Sequence, residues 1–322
     1  MRAIRIHEIG GPEVLKYEEC ANPQPGDGQA LVELQAIGVN YTDIYTRSGI
    51  NPPASLPMIP GIEGAGVVKA IGDGVTDVRV GDVVAYIHTP GSYAEQVVVP
   101  AHRLVKLPEG IDAKTAAAAI LQGMTAHYLV HSTYPLKAGE RVLIHAGAGG
   151  VGLLLIQMAK RLGSHVFTTV STEEKAALAR EAGADQVIIY TRENFEEAVK
   201  EATDGQGVQV VYDGVGKTTF DQGINCLAPR GYMVLFGTSS GRVSPVDPRV
   251  LNRGSYFFTR PGLIHHVATR QELLQRAQDL FDWITSGQLK VRISKTFPLA
   301  EAVEAHRAME GRQTTGKVLL LP

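Results

Sequence analysis

Arg141-Val142-Leu143-Ile144-His145-Ala146-Gly147-Ala148-Gly149-Gly150-Val151-Gly152 is the stretch on which the fold turns. Its first half is a short apolar run with the character of a buried strand. Its second half gathers glycines where that strand gives way to a helix read over 152–162 and stopped at Gly163. The run 165–170, ending at Val170, reads as the next strand. Strand, glycine turn, helix and second strand are together what a dinucleotide pyrophosphate requires. The amides of the first helical turn point at the phosphates, and the missing side chains let the backbone approach.

The alternation continues outward from this unit. A helix over 173–182 stops at Gly183, and strands follow over 186–190, 208–213, 231–237 and 255–259. Strands alternating with helices of this length predict βαβ units in a doubly wound parallel sheet, an α/β Rossmann domain. The chain before Asp112 reads differently. Short strands at 2–6, 30–36, 64–72, 81–86 and 94–100 are punctuated by glycine and proline, without long helices, as in a small β-barrel. A helix-prone, alanine-rich run spans 113–130. The tail offers amphipathic helices at 270–286 and 300–309 and a closing strand at 317–321, so it is expected to return to the first domain. The predicted layout is a first domain of 1–121, an inserted dinucleotide domain of 122–262 and a C-terminal return of 263–322.

The 322 residues carry a formal charge of −2 and no block of like charges, which gives no reason to expect nucleic acid or an acidic membrane surface as partner. Two cysteines, Cys20 and Cys226, are too few for a disulfide framework or a cysteine-rich zinc knuckle. No apolar stretch approaches the roughly 20 residues that span a bilayer, and nothing at Met1 reads as a signal core. The cytoplasm is the expected compartment.

The end of the second strand selects between the nicotinamide cofactors. A carboxylate there would accept from a ribose 2′-hydroxyl. This strand instead ends Val170-Ser171-Thr172, followed by Glu173-Glu174-Lys175. Hydroxyls and a lysine donate to a 2′-phosphate, so NADPH is the expected cofactor. Ser171 or Thr172 also suits a helix N-cap.

Gly139 to Lys160 resembles the signature of the quinone oxidoreductase (zeta-crystallin) group of the medium-chain dehydrogenase/reductase superfamily. The matching residues are Gly139-Glu140, Leu143, Gly147-Ala148, Gly149-Gly150-Val151-Gly152, Gln157 and Lys160. The similarity extends to Gly10-Gly11-Pro12-Glu13-Val14-Leu15, Gly38-Val39-Asn40-Tyr41-Thr42-Asp43, 60–66 and Thr314-Thr315-Gly316-Lys317. It implies a GroES-like β-barrel catalytic domain with the Rossmann domain inserted into it. It also implies NADPH and a homodimer joined through Rossmann sheet edges.

Zinc-dependent members of that superfamily place cysteine, histidine and a second cysteine where this chain has Asn40, Ile62 and, nearby, Gln122. Without thiolate or imidazole the positions cannot hold zinc, so no metal is expected. Carbonyl reduction without a Lewis acid favours a conjugated acceptor that spreads the developing charge. A quinone is the first expectation. A 2-alkenal or enone, reduced at its carbon–carbon double bond, is the second, and a non-catalytic NADPH-bound structural or RNA-binding role the third.

The resemblance also supplies site residues. Asn40, Tyr45, Tyr128 and Arg260 are candidates to touch the acceptor. Each has a bland alternative: a turn asparagine, packed or rim tyrosines, an ion-paired arginine. For the cofactor the candidates are Asn40, Tyr41, Thr125, Gly149, Gly150, Val151, Ser171, Thr172, Lys175 and Tyr190. Val215, Phe236, Gly237, Ser239, Ser240, Phe258 and Thr259 join them at strand ends, with Arg312 from the tail. Asp43 and Asp213 read as turn or capping residues.

Overall fold

The strand that precedes the glycine turn becomes the centre of a parallel sheet. The computed structural model describes all 322 residues, and they divide into two compact units, Met1–Gln122 with Val267–Pro322, and Gly123–His266. In chain order the elements before the division are β1 (Arg2–Arg5), β2 (Lys16–Glu19), β3 (Gln29–Val39), α1 (Tyr41–Arg47), β4 (Glu63–Ile71), β5 (Val83–Ile87), β6 (Gln96–Pro100) and β7 (Val105–Lys106), and α2 (Ala113–Tyr128) runs across it. The second unit adds β8 (Arg141–Ile144), α3 (Gly150–Arg161), β9 (His165–Val170), α4 (Glu173–Glu181), β10 (Gln186–Ile189), α5 (Phe195–Ala202), β11 (Val208–Asp213), α6 (Phe220–Asn225), β12 (Leu227–Leu235), β13 (Phe257–Thr259) and α7 (Leu263–His266). The tail contributes α8 (Arg270–Thr285), β14 (Ile293–Pro298), α9 (Ala302–Glu310) and β15 (Lys317–Leu321).

In the second unit the six strands run in the order β10-β9-β8-β11-β12-β13, every pair parallel. This is the doubly wound arrangement, two βαβαβ halves meeting beside the first strand. The unbroken apolar runs of the central strands follow from burial on both faces. Leu143, Phe167, Ile188, Val211, Phe220 and Met233 form one core beneath the helices. Parallel register fixes what stands together at the carboxyl edge. Ile144 lies opposite both Thr168 and Tyr212, Val170 opposite Ile189, and Asp213 opposite Leu235.

In the first unit β3 is the organising strand. Its eleven residues pair antiparallel with β4 on one side. On the other side the first half takes β6 and the last residues take β15. The tail is therefore bonded into the N-terminal sheet, as the sequence predicts, and β14 closes that sheet's edge. Ile4, Val32, Ile37, Val68, Tyr86 and Leu320 belong to the core of this unit.

Several boundaries differ from the sequence reading. The helix after the glycine turn begins at Gly150, because Gly149 already caps it in an extended conformation. The last Rossmann strand begins at Phe257, since Ser255 takes a left-handed φ of 54° that no strand accommodates. Helices α1, α5 and α6 and strands β2, β7 and β14 are absent from the sequence reading. No helix is long and apolar enough to cross a membrane.

Candidate functional site

The glycine turn is shaped by its neighbours' backbone. Ala146 takes a positive φ of 57°. The Gly147 amide donates to the Thr169 carbonyl at 3.0 Å, and the Gly149 amide to that of Ala146 at 2.9 Å. A Cβ on Gly147 would stand 2.1 Å from Thr168 Oγ1, and one on Gly152 would stand 2.3 Å from the Ala146 carbonyl oxygen. Both positions therefore demand glycine. The first turn of α3 carries no acidic side chain, so Gly150 and Val151, just inside the Gly149 cap, present amides at the positive end of a twelve-residue helix. A pyrophosphate fits that cradle. Beneath it His145 is buried, its Nδ1 at 2.9 Å from Thr169 Oγ1. Burial lowers its pKa, partly offset by the Asp213 charge, so a neutral ring supports the turn.

At the ends of β9 and β10 a second group gathers. Thr172 caps α4, its Oγ1 accepting from the Lys175 amide at 3.3 Å. The Tyr190 amide donates to the Val170 carbonyl, and Thr191 Oγ1 donates to that of Ser171 at 2.9 Å. Ser171, Thr172, Lys175 and the exposed Tyr190 thus belong to one corner. Arg192 joins it, 3.3 Å from Glu173. It escaped the sequence reading, although its place in the turn that follows β10, two residues after Tyr190, was the available signal.

A third group closes the same sheet edge. Asp213 Oδ1 accepts from the amides of Val215 and Gly216 at 2.7 and 3.0 Å, and Thr219 Oγ1 donates to its other oxygen at 2.8 Å. That is the turn role expected of Asp213. Ser240 donates from both its amide and its hydroxyl to the Val215 carbonyl, and the Ser239 amide to that of Gly214. A Cβ on Gly237 would meet the Gly214 carbonyl oxygen at 2.6 Å, so the turn holding Phe236, Gly237, Ser239 and Ser240 packs flat on the Val215 loop. Thr259 pairs with Val234, which puts Phe258, Thr259 and Arg260 at this edge too. Arg260 is exposed. Also in this unit, Thr125 is buried in α2, and the Tyr128 ring stacks on His266, centroids 4.3 Å apart and 8° from parallel. Burial holds the Tyr128 hydroxyl above the usual phenol range.

The first unit contains a buried polar network. Lys317 Nζ lies 2.5 Å from Glu63 Oε2 and 2.9 Å from Asn40 Oδ1. Asn40 Nδ2 donates to Glu63 Oε2 and to the Gly38 carbonyl, at 3.0 and 3.1 Å. Gln122 Nε2 donates to Asn40 Oδ1 at 2.6 Å, and the Leu121 amide to Glu63 Oε1 at 2.8 Å. Burial lowers the Lys317 pKa, and the adjacent Glu63 charge works against that shift. At the start of α1 the Asn40 backbone amide donates to Asp43 Oδ2 at 2.9 Å, the capping role expected of that aspartate. Tyr41 donates to the Met309 carbonyl at 3.1 Å, and its ring is tilted against Tyr45 with centroids 6.1 Å apart. Arg312 follows α9 at a positive φ of 55°.

Residues 26–109 match the alcohol dehydrogenase GroES-like domain and residues 182–320 the zinc-binding dehydrogenase model. The chain is 46% identical over 323 residues to a quinone oxidoreductase of Pseudomonas aeruginosa, covering 100% of this chain and 99% of the relative. It is 44% identical over 327 residues to a 2-haloacrylate reductase of a Burkholderia species, covering 98% of each. The crystal structure of Escherichia coli quinone oxidoreductase complexed with NADPH superposes with a TM-score of 0.98 at 43% identity, covering all of both chains. The chain belongs to the quinone oxidoreductase family. The GroES-like and Rossmann architecture read from its sequence is therefore the observed one.

In this chain Asn40, which the resemblance puts at a metal-ligand position of zinc-dependent relatives, is bonded to Gln122, which falls near another. Nowhere do three His, Cys, Asp or Glu side chains converge as a metal would need. All four hydrogen-bonding positions of the Asn40 side-chain amide face Gly38, Glu63, Gln122 and Lys317. Glu63, Gln122 and Lys317 went unread as a unit because they are scattered over the chain.

Proposed function

We propose that this chain is an NADPH:quinone oxidoreductase that works without zinc. The observation that carries the reading is an intact dinucleotide turn in a chain where Asn40 and Gln122, at or near the zinc-ligand positions of zinc-dependent relatives, are hydrogen-bonded to each other, with Asn40 also bonded to Lys317. When bound, the dinucleotide supplies a hydride, and the acceptor takes it together with a proton. The amides of Gly150 and Val151 hold the pyrophosphate, with Gly149 capping the helix beside it. Ser171, Thr172, Lys175 and Tyr190 surround the 2′-phosphate, with Arg192 beside them. Val215, Phe236, Gly237, Ser239, Ser240, Phe258 and Thr259 form the wall further along the sheet edge, with Thr125 on α2 and Arg312 from the turn after α9. Tyr45 and Tyr128 offer hydroxyls to the acceptor, and Arg260 a guanidinium. Tyr41 acts through the carbonyl it holds.

A quinone suits such a site because its charge is delocalised and asks for positioning rather than a strong electrophile. The similarity to the 2-haloacrylate reductase favours a second reading, reduction of an activated carbon–carbon double bond. The exposed edge strand β13 supports a homodimer, and the absence of a membrane-crossing helix is in keeping with a cytoplasmic enzyme.

The test follows NADPH oxidation with p-benzoquinone, phenanthrenequinone and hexenal in turn. Turnover of the quinones is expected. Turnover of hexenal alone selects the second reading, and no turnover with any of them leaves only a binding role. Lys175→Ala is expected to raise KM for NADPH about tenfold, the loss of one charge-assisted bond, and to leave KM for NADH unchanged. Equal effects on both would remove Lys175 from the 2′-phosphate.

A further inference from the structure

Lys317 and Glu63 are 2% and 0% exposed, so each depends on the other and on the amides around them. Their charges set the direction of every neighbouring hydrogen bond. Lys317 has only donors, so the Asn40 atom facing it must be the oxygen. The ionised Glu63 has only acceptors, so the Asn40 atom facing it must be the nitrogen. With Asn40 Oδ1 turned to Lys317, the neighbouring Gln122 can approach it only with Nε2, as it does at 2.6 Å. An ion pair of opposite charges thus fixes two successive amide orientations. What remains at the end of the chain is Gln122 Oε1.

That oxygen is buried and has no hydrogen-bond partner, in a side chain 7% exposed. A buried acceptor without a donor keeps its whole desolvation cost, which native proteins seldom leave standing. Its chemistry is also specific. An amide oxygen whose nitrogen is held by a bond accepts N–H or O–H and repels a carbonyl. It lies one residue from Leu121, whose amide is bonded to Glu63, so backbone and side chain of α2 are both anchored to the ion pair. Gly38 is required by the same arrangement, since a Cβ there would stand 2.1 Å from Glu63 Oε2 and 2.8 Å from Lys317 Cε.

We propose that Gln122 Oε1 is a ligand-binding acceptor that receives a hydroxyl hydrogen, with Asn40, Glu63 and Lys317 as the positioning residues that aim it. The proposal rests on the reading of the chain as an NADPH:quinone oxidoreductase. That reaction offers two hydroxyl sources. One is a ribose hydroxyl of the cofactor. The other is the reduced acceptor: a quinone has no O–H, whereas hydride plus one solvent proton converts it to a hydroquinone with two.

The experiment uses the purified full-length chain and three variants. Gln122→Met removes the acceptor at similar size, Gln122→Glu retains an oxygen there, and Gln122→Asn withdraws it by one methylene should the Met variant fail to fold. NADPH affinity is measured by fluorescence titration without acceptor. KM and kcat for p-benzoquinone and inhibition by its hydroquinone are measured at saturating NADPH. If the ribose is the donor, Gln122→Met weakens NADPH binding about tenfold, as expected for one lost hydrogen bond, and Gln122→Glu restores most of it. If the hydroquinone is the donor, NADPH affinity holds and the inhibition constant rises by the same factor. Either result supports the proposal. NADPH affinity and hydroquinone inhibition both within about twofold of wild type in the folded Met or Asn variant overturn it. Failure of the wild-type chain to bind NADPH at all would instead sink the functional reading beneath it.

Discussion

Asp43 and His306 meet on one hydroxyl. Tyr93 Oη lies 3.0 Å from Asp43 Oδ2 and 2.9 Å from His306 Nε2, all three buried. Burial raises the Asp43 pKa from 3.8 to about 7, and burial lowers that of His306 from 6.5 to about 3. The two shifts act on stability in opposite directions. A carboxyl with a raised folded pKa contributes fully below its unfolded value, and that contribution is lost as pH rises from about 4 to about 7. A histidine with a depressed folded pKa contributes fully above its unfolded value, and loses this as pH falls from there towards about 3. Between about pH 4 and 6.5 the two slopes oppose, so the wild-type chain should show little net dependence from this pair. Asp43→Asn keeps an acceptor for Tyr93 and the Asn40 amide but no longer titrates, leaving the histidine slope uncovered. Urea unfolding at about pH 5 and about pH 7 should show the wild type gaining about 2 to 3 kcal/mol on the variant at the lower pH. Parallel profiles for the two proteins would mean that Asp43 titrates normally.

At the scale of the element, the strand–turn–helix of β8 and α3 makes a comparative prediction. Gly147 and Gly152 are both too crowded for a Cβ, but by different partners. Thr168 can rotate away from an added methyl at 147, at the cost of the 2.6 Å bond from its hydroxyl to the Ile144 carbonyl. The Ala146 carbonyl that blocks 152 is backbone and can move only with the turn. Gly152→Ala should therefore cost more stability than Gly147→Ala, towards the upper end of the roughly 1 to 3 kcal/mol of overpacking, and weaken NADPH more. Thermal unfolding and NADPH titration of both variants check the order, and equal effects would mean the turn is pliant. This turn was legible because strand, glycines and helix are consecutive. So was the whole parallel sheet, since buried strands at regular spacing announce themselves. The elements that went unread are short or exposed. Strand β14 offers Ser294-Lys295-Thr296 without an apolar face, and α1 is seven residues whose capping pair, Asn40 and Asp43, was read as turn and cap rather than as a helix start. The Lys317–Glu63 pair was unreadable for another reason: 254 positions separate its members, and only β15 lying antiparallel on β3 brings them together.

At the scale of the whole molecule, β13 is an exposed edge of the parallel sheet. It is the last strand of the six, so one of its edges has no partner within the chain. Phe257 and Phe258 are 49% and 37% exposed, and Ile264 shortly after is 39% exposed. Phe257 stacks on Tyr232, centroids 4.5 Å apart, and Phe258 lies edge-on to Phe220 at 5.1 Å. These rings are held in place while their outer faces remain apolar. A short edge strand with unpaired backbone groups and no charge of its own lacks the usual protection against pairing. Two copies related by a twofold axis would satisfy both edges with the same surface, which is the commonest closed solution. Phe257→Lys places a charge on that face and leaves the strand's backbone intact. Sedimentation velocity is expected to give the mass of two chains for the wild type and of one for the variant. NADPH binding at the opposite, carboxyl-edge turn of β8 should survive in the variant, because Gly149, Gly150 and Val151 take their geometry from Ala146 and α3 rather than from β13. A variant that remains two chains in mass would move the interface to β10 or off the sheet altogether.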